Sequence, residues 1–174
     1  MASAIESRLK LPAELKPESV VAVIDTREQI PLDLSPLQIM YGTLATGDYS
    51  LAGYEDDVAI ERKSLPDLLG CVGVDRERFD REIQRMRGYS TRALIVEATW
   101  RQIRAGGWRS RVTPAAVEGS LRGWEAKGIP VVLTGNHKEA GRHVARMLFL
   151  TARRKWRGVR KMIGLGLKIE GDAA

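Results

Sequence analysis

Between residues 47 and 67 the chain carries Gly47-Asp48, then Asp57-Val-Ala-Ile-Glu61-Arg62-Lys63, then Asp67. In an extended strand side chains alternate faces with a period of two. Glu61 and Lys63 therefore project together, while Ile60 and Arg62 point the other way. If a hairpin joins 49–52 to 57–63, Asp48 begins the partner strand and reaches the same patch. Two carboxylates can hold Mg²⁺ through hard oxygen ligands. Such an ion polarises a phosphoryl oxygen and acidifies a water. A neighbouring lysine orients that water and offsets charge that builds on the phosphate. Carboxylate, carboxylate and lysine are the minimum kit for phosphodiester hydrolysis.

Taken singly, each piece has a plainer reading. Gly-Asp is a common turn pair, and Glu and Lys on one strand face often meet only solvent. Asp67 can complete a helix cap with Ser64. Asp25, which follows an apolar run, can be an ordinary loop carboxylate. It is the combination that is specific.

The rest of the composition narrows the chemistry. Cys71 is the only cysteine in 174 residues, so neither an internal disulfide nor a thiolate-rich zinc site can form. His137 and His143 are the only histidines, and six residues apart they do not share a helix face. Any metal is therefore expected to be a hard ion on carboxylates. No Gly-x-Ser-x-Gly elbow or Gly-x-x-x-x-Gly-Lys-Ser/Thr phosphate loop is present, and Cys71 sits in an apolar helix where packing is its plainer role. The formal charge of +6 and pI near 9.7 favour an anionic partner, most simply nucleic acid. No apolar run reaches the roughly 20 residues of a membrane span, and the start lacks the apolar core of a signal peptide. The expectation is no membrane and a cytoplasmic protein, or a nuclear or nucleoid-associated one where host DNA is the substrate.

These residues need elements to position them. Val20-Val-Ala-Val-Ile24 reads as a buried strand, residues 26–36 as a proline-broken loop, and 38–44 as a second strand. Ser64-Leu-Pro-Asp67 opens a helix, and 75–88 forms another with Phe79, Ile83 and Met86 on one face. Residues 92–97 and 129–133 are predicted strands. Thr113-Pro114 caps a helix with Val117, Leu121 and Trp124 aligned. Asn136 and Glu139 open a long helix to about Trp156. Alternation of strand and helix after Leu94 points to an α/β sandwich with parallel pairing, made mixed by the hairpin. The expected division is a flexible leader at 1–19, one domain at 20–157, and a basic, flexible tail at 158–174.

The whole pattern resembles the XPF-type nuclease family, a branch of the PD-(D/E)XK superfamily. Its signature is Gly-Asp, a spacer, Glu-Arg-Lys and an Asp four residues later, matched by Gly47-Asp48, Glu61-Arg62-Lys63 and Asp67. Val23-Ile24-Asp25-Thr26-Arg27-Glu28 is similar to the family's first strand and Asp-x-Arg-Glu turn. Arg76, Arg78, Phe79, Arg81 and Arg85 fit the helix that follows the signature. The resemblance spans about residues 20–154. It implies a restriction-endonuclease-like core, a mixed central β-sheet flanked by helices. It implies a metal-dependent endonuclease, with Mg²⁺ or Mn²⁺ in its place, acting on branched DNA (flap, fork or junction) in repair or recombination. By the same resemblance Asp48 and Glu61 are metal ligands and the Arg62 backbone carbonyl completes the set. Lys63 positions the water, and Asp25 sits beside the metal. Arg27, Glu28 and Arg62 organise the site or touch phosphate, and Asp67 has a supporting place.

Two alternatives stay open. The family includes members that lost their catalytic residues, so a DNA-binding or scaffolding subunit is the second reading; the intact Asp48, Glu61 and Lys63 argue against it. Junction resolution or simple nicking on the same fold is the third. Many relatives carry tandem helix-hairpin-helix modules, for which these 174 residues leave no room; Gly164-Leu-Gly166 resembles one hairpin. DNA contact is then expected from the domain, from its tail, or from another protein. In the tail Arg153, Arg154, Lys155 and Arg157 can neutralise phosphates and Trp156 can stack on a base, or the stretch is a solvated helix end. Val144, Met147, Leu148, Phe149 and Leu150 exceed one apolar stripe, which with the resemblance predicts a homodimer or pairing with a related subunit.

Overall fold

The computed structural model describes residues 12–171. A six-stranded sheet forms its middle layer: β1 (Val21–Asp25), β2 (Gln38–Gly42), β3 (Tyr49–Leu51), β4 (Val58–Lys63), β5 (Thr91–Val96) and β6 (Val131–Leu133). The spatial order is β2-β1-β3-β4-β5-β6. β3 runs antiparallel to both β1 and β4, and the β1/β2, β4/β5 and β5/β6 pairs are parallel. The sheet is thus mixed, as the alternation and the hairpin predict.

Period-two alternation along the strands divides the core into two layers. Ala22, Ile24, Tyr49, Ile60 and Ile95 face the long helix α5 (His137–Gly171), which buries Val144, Leu148 and Phe149 against them. Leu94 and Val96 face the other four helices: α1 (Leu65–Val72), α2 (Arg76–Met86), α3 (Trp100–Ala105) and α4 (Pro114–Ala126). The stripes read from sequence, Phe79/Ile83/Met86 and Val117/Leu121/Trp124, are all in that second layer. Phe79 and Trp124 meet edge to face at 4.9 Å, a favoured aromatic geometry.

Local chemistry explains where the elements start. Ser64 caps α1, accepting the amide of Asp67, and Thr113 caps α4 in the same way. Gly141 lets α5 lie on the loop after β1: a Cβ there would stand 2.5 Å from the Asp33 carbonyl oxygen.

Four details differ from these expectations. α3 went unread; at six residues it is too short to show a periodic stripe, although Thr99 and Gln102 form a complete capping box before it. α5 continues to Gly171 rather than ending near Trp156, so the expected boundary at 157 and the Gly164–Gly166 segment both fall inside one helix. The apolar width of that helix is largely used in folding: Val144, Leu148 and Phe149 are core. The part of the expected leader that is described packs as well, with Leu15 against the core and a short 3-10 turn at Pro17–Ser19. Residues 1–11 of that leader and 172–174 of the tail lie outside the described residues. Among the described residues no helix is long and apolar enough to cross a membrane.

Candidate active site

The Gly47-Asp48 turn feeds β3. Gly47 has φ +80°, and a Cβ there would press within 3.1 Å of the Ile60 backbone, so only glycine fits. The Asp48 amide donates to the Ile60 carbonyl at 2.8 Å, and the Asp25 amide donates to the Asp48 carbonyl at 2.9 Å. The β3/β4 register pairs Tyr49 with Ile60, and the β1/β3 register pairs Ile24 with Tyr49. One further step sets Asp48 opposite Glu61 and Asp25 opposite Asp48. Three acids therefore stand in a row across β1, β3 and β4, on the face covered by α1 and α2.

Lys63 completes the cluster. Its ammonium donates to Glu61 Oε1 and, at 3.3 Å, to the Arg62 carbonyl oxygen. It also lies 5.4 Å over the Phe79 ring. Asp48 Oδ2 accepts the Arg62 amide at 2.8 Å. Arg62 thus serves the site with its main chain while its side chain leaves by the other face, as the alternation predicts.

The electrostatics follow from burial. Glu61 is 6% exposed. Burial, helped by the nearby Asp48 charge, pushes its carboxyl up to about 7 against the pull of Lys63. Burial likewise raises Asp48 to about 6, opposed by Lys63 and the Arg62 amide. For Lys63, burial works against the charge, but Glu61 and Asp48 outweigh it and hold the ammonium well above its ordinary range. Among the described residues no group of three or more His, Cys, Asp or Glu is placed to hold an ion. Asp48, Glu61 and the Arg62 carbonyl are the oxygens at this point that could hold a hard divalent cation.

Asp25 is in the row, but its carboxylate is engaged. Oδ1 accepts Arg27 N and Nε, and Oδ2 accepts Arg27 Nη2 and the Leu44 amide. Those four donors fill its lone-pair sites, and the Arg27 guanidinium holds the group down at about 2. Arg27 itself remains largely exposed at the rim. Asp67 accepts the Ser64 hydroxyl at 2.6 Å at the exposed start of α1, which is a cap. Glu28 is buried on the far side of β4, 3.6 Å from Arg62.

A family model described as the ERCC4 domain matches residues 24–147, most of the sheet and its helices. The chain belongs to the ERCC4 domain family. Among solved structures, XPF from Aeropyrum pernix is similar to it, with a TM-score of 0.63 and 21% identity over 76% of this chain and 62% of that one. The ERCC4 domain thus has the XPF-type nuclease fold and spans less than two thirds of that relative. No curated protein matches its sequence.

The tail cations are not brought to the ERCC4 site. Arg154 bonds Thr91 at the start of β5, and Lys155 pairs with Asp57, just before β4. Glu61 and Lys63 sit at the other end of β4, roughly 17 Å away at ~3.3 Å per residue. Arg153 lies over Phe149, and Arg157 is exposed. Trp156 does not stand ready for a base: its Nε1 is sealed from solvent without a partner, where α5 meets residues 13–17.

Two features of the site were missed in the sequence. Glu82 on α2 accepts the Gly47 amide at 3.2 Å, and its charge adds to the rise of Glu61. It lies three residues after Phe79, on the inward face of α2, a signal that could have been read. Behind β4, Arg62 Nε donates to Glu97 Oε1 at 2.7 Å, and His137 Nδ1 lies 2.7 Å from the same oxygen. Burial works to raise Glu97, but Arg62 and His137 outweigh it and hold it below its usual range.

Proposed function

We propose that this ERCC4 domain is a Mg²⁺-dependent endonuclease that hydrolyses phosphodiester bonds in branched DNA. The observation that carries the proposal is the meeting of Asp48, Glu61 and Lys63, from two strands, at one point lined by hard oxygen donors. Asp48 and Glu61 are the residues that would hold the ion, with the Arg62 carbonyl as the third oxygen, and Mn²⁺ could take its place. When bound, such an ion supplies Lewis acidity toward the scissile phosphate and toward water.

The chain's own residues do the rest. Burial makes the two carboxylates poor anions alone, and a bound cation would favour their ionised forms. Lys63 stays charged throughout and donates toward the attacking water and a non-bridging phosphate oxygen, offsetting charge that builds in the transition state. Asp25 and Arg27 anchor the loop after β1 and keep that strand in register beside Asp48. Arg27, exposed at the rim, contacts phosphate, and Glu82 holds the Gly47 turn.

The test is cleavage of end-labelled flap, fork, four-way junction and linear duplex DNA, with Mg²⁺ and with chelator. Metal-dependent cuts on the branched forms, with little on linear duplex, are expected. No metal-dependent cleavage on any of them, alone or with a related subunit added, would leave a DNA-binding scaffold as the reading.

A further inference from the structure

At the opposite end of the sheet from Glu61 and Lys63, an open pocket of about 590 Å³ lies between the starts of β5 and β6 and the body of α5. Arg92, His143, Arg146 and Arg154 line it, along with the hydroxyls of Ser90 and Thr91, and no Asp or Glu does. Three of these are permanent cations. Each has found only neutral company among the described residues. Arg92 donates to the carbonyls of Gly128 at 2.9 Å and Tyr89 at 2.6 Å. Arg154 donates to the Thr91 hydroxyl at 3.3 Å, and Arg146 lies 5.8 Å over the Phe149 ring. None takes part in an ion pair among the described residues, whereas Arg78, Arg85, Arg104, Arg122 and Arg142 each do. Asp57, whose carbonyl oxygen accepts from Thr91 N and Ser90 Oγ, is itself paired with Lys155.

Three uncompensated guanidiniums around a concavity repel one another, and an anion relieves that repulsion. Guanidinium forks beside hydroxyl donors match the oxygens of a phosphate. We propose that this pocket is a second phosphate-binding site, taking the backbone of a DNA arm other than the one being cut. The proposal rests on the reading of the domain as a nuclease of branched DNA. The site's position argues for a second arm. β4, β5 and β6 run parallel, with Glu61 and Lys63 at the end of β4 and Arg92 and the pocket at the starts of its neighbours. Arg146 and Arg154 stand on α5, which covers the face of the sheet opposite Glu61 and Lys63, so a straight duplex lying on the face of the acids does not also lie on the pocket, whereas a junction sends arms in several directions.

The experiment is the salt dependence of binding, read by fluorescence anisotropy in chelator so that cleavage plays no part. The probes are a four-way junction, a linear duplex of equal length, and inorganic phosphate as competitor. The variants are Arg146→Gln with Arg154→Gln, and the charge-keeping Arg146→Lys with Arg154→Lys. Losing two phosphate contacts lowers the log–log salt slope by about 1.8, so the change in affinity between 50 and 200 mM salt shrinks about 12-fold. That loss is expected on the junction, is smaller on linear duplex, and is restored by the lysine variant. A folded glutamine variant with the wild-type slope on the junction overturns the second site and leaves the proposed function standing. Equal losses on junction and duplex overturn the second-arm assignment. Loss of phosphate competition without any change in DNA binding makes this a small-anion site instead. A wild-type protein that binds no DNA overturns the nuclease reading, and the second site with it.

Discussion

Asp48 and Arg62 are joined through the main chain: the Arg62 amide donates to Asp48 Oδ2 at 2.8 Å while the Arg62 guanidinium reaches Glu97 and Glu28 on the other face of β4. One residue therefore ties the Asp48 and Glu61 face of the strand to a buried ionic group behind it. Whatever displaces the guanidinium is felt, through the backbone, at the candidate metal site.

Replacing Arg62 tests that tie. Arg62→Ala leaves Glu28 and Glu97 as buried acids without their guanidinium, a situation that typically costs about 3–5 kcal/mol. The expected result is a lower denaturation midpoint with an unchanged slope. Arg62→Met combined with Glu97→Leu is expected to recover part of the loss, since removing both partners is milder than stranding one. A folded Arg62→Ala protein of wild-type stability would mean that the ionic group behind β4 carries no weight.

The raised carboxyls set a pH dependence with a definite sign. Glu61, near 7, and Asp48, near 6, keep their protons when folded over a range where the unfolded chain, titrating around ~4, has already lost them. The folded state then binds more protons, so stability falls as pH rises through that range. A divalent ion favours the ionised form and offsets the fall. Without metal, the melting temperature is expected to drop between about pH 5 and pH 8, and Mg²⁺ is expected to raise it more at the upper end. Glu61→Gln should flatten the curve and shrink the Mg²⁺ shift. An equal Mg²⁺ shift in that variant would place the ion elsewhere.

How far the sequence carries the reader can be judged from particular residues. The alternation around Glu61 was legible because a period of two is fixed by strand geometry, and the Ser64 and Thr113 caps are local chemistry. Glu97 and His137 were not legible as a group, because they meet Arg62 from 35 and 75 residues away and only the packing of α5 brings them together. The expected end of α5 near Trp156 is not where the helix stops: it runs on through Gly158, Gly164 and Gly166, because helix propensity is only a weak guide to where a helix ends. Asp25 was expected beside an ion. Its bonds to Arg27 and Leu44 depend on how the following loop folds back, which no spacing encodes.

Trp156 separates a packing role from a nucleic-acid role. It lies against residues 13–17 with its indole nitrogen sealed from solvent. Trp156→Ala is expected to lower stability by about 2 kcal/mol, less than the ~3–5 of a fully buried aromatic because the ring is only partly enclosed. DNA affinity of the folded protein should hold, measured well below the variant's melting point. A loss of single-strand affinity without a loss of stability would restore the stacking role.

Lys63 offers the sharpest separation of enzyme from scaffold. Its ammonium touches Glu61 and the Arg62 carbonyl but would not be needed to hold an ion on those oxygens. Lys63→Ala should therefore lose most cleavage, on the order of the 10²–10³-fold seen when one electrostatic donor to a transition state is removed. Metal and DNA binding should survive, since the interaction is made in the transition state. Asp48→Ala and Glu61→Ala are expected to lose cleavage together with Mg²⁺ affinity, measured by calorimetry. Double replacements among the three should be barely worse than the worst single one, because residues that act as a unit are not additive. Wild-type cleavage by a folded Lys63→Ala protein would show the site to be wrongly assigned even if the protein cuts DNA. Cleavage lost in step with DNA affinity would mean instead that Lys63 binds substrate in the ground state.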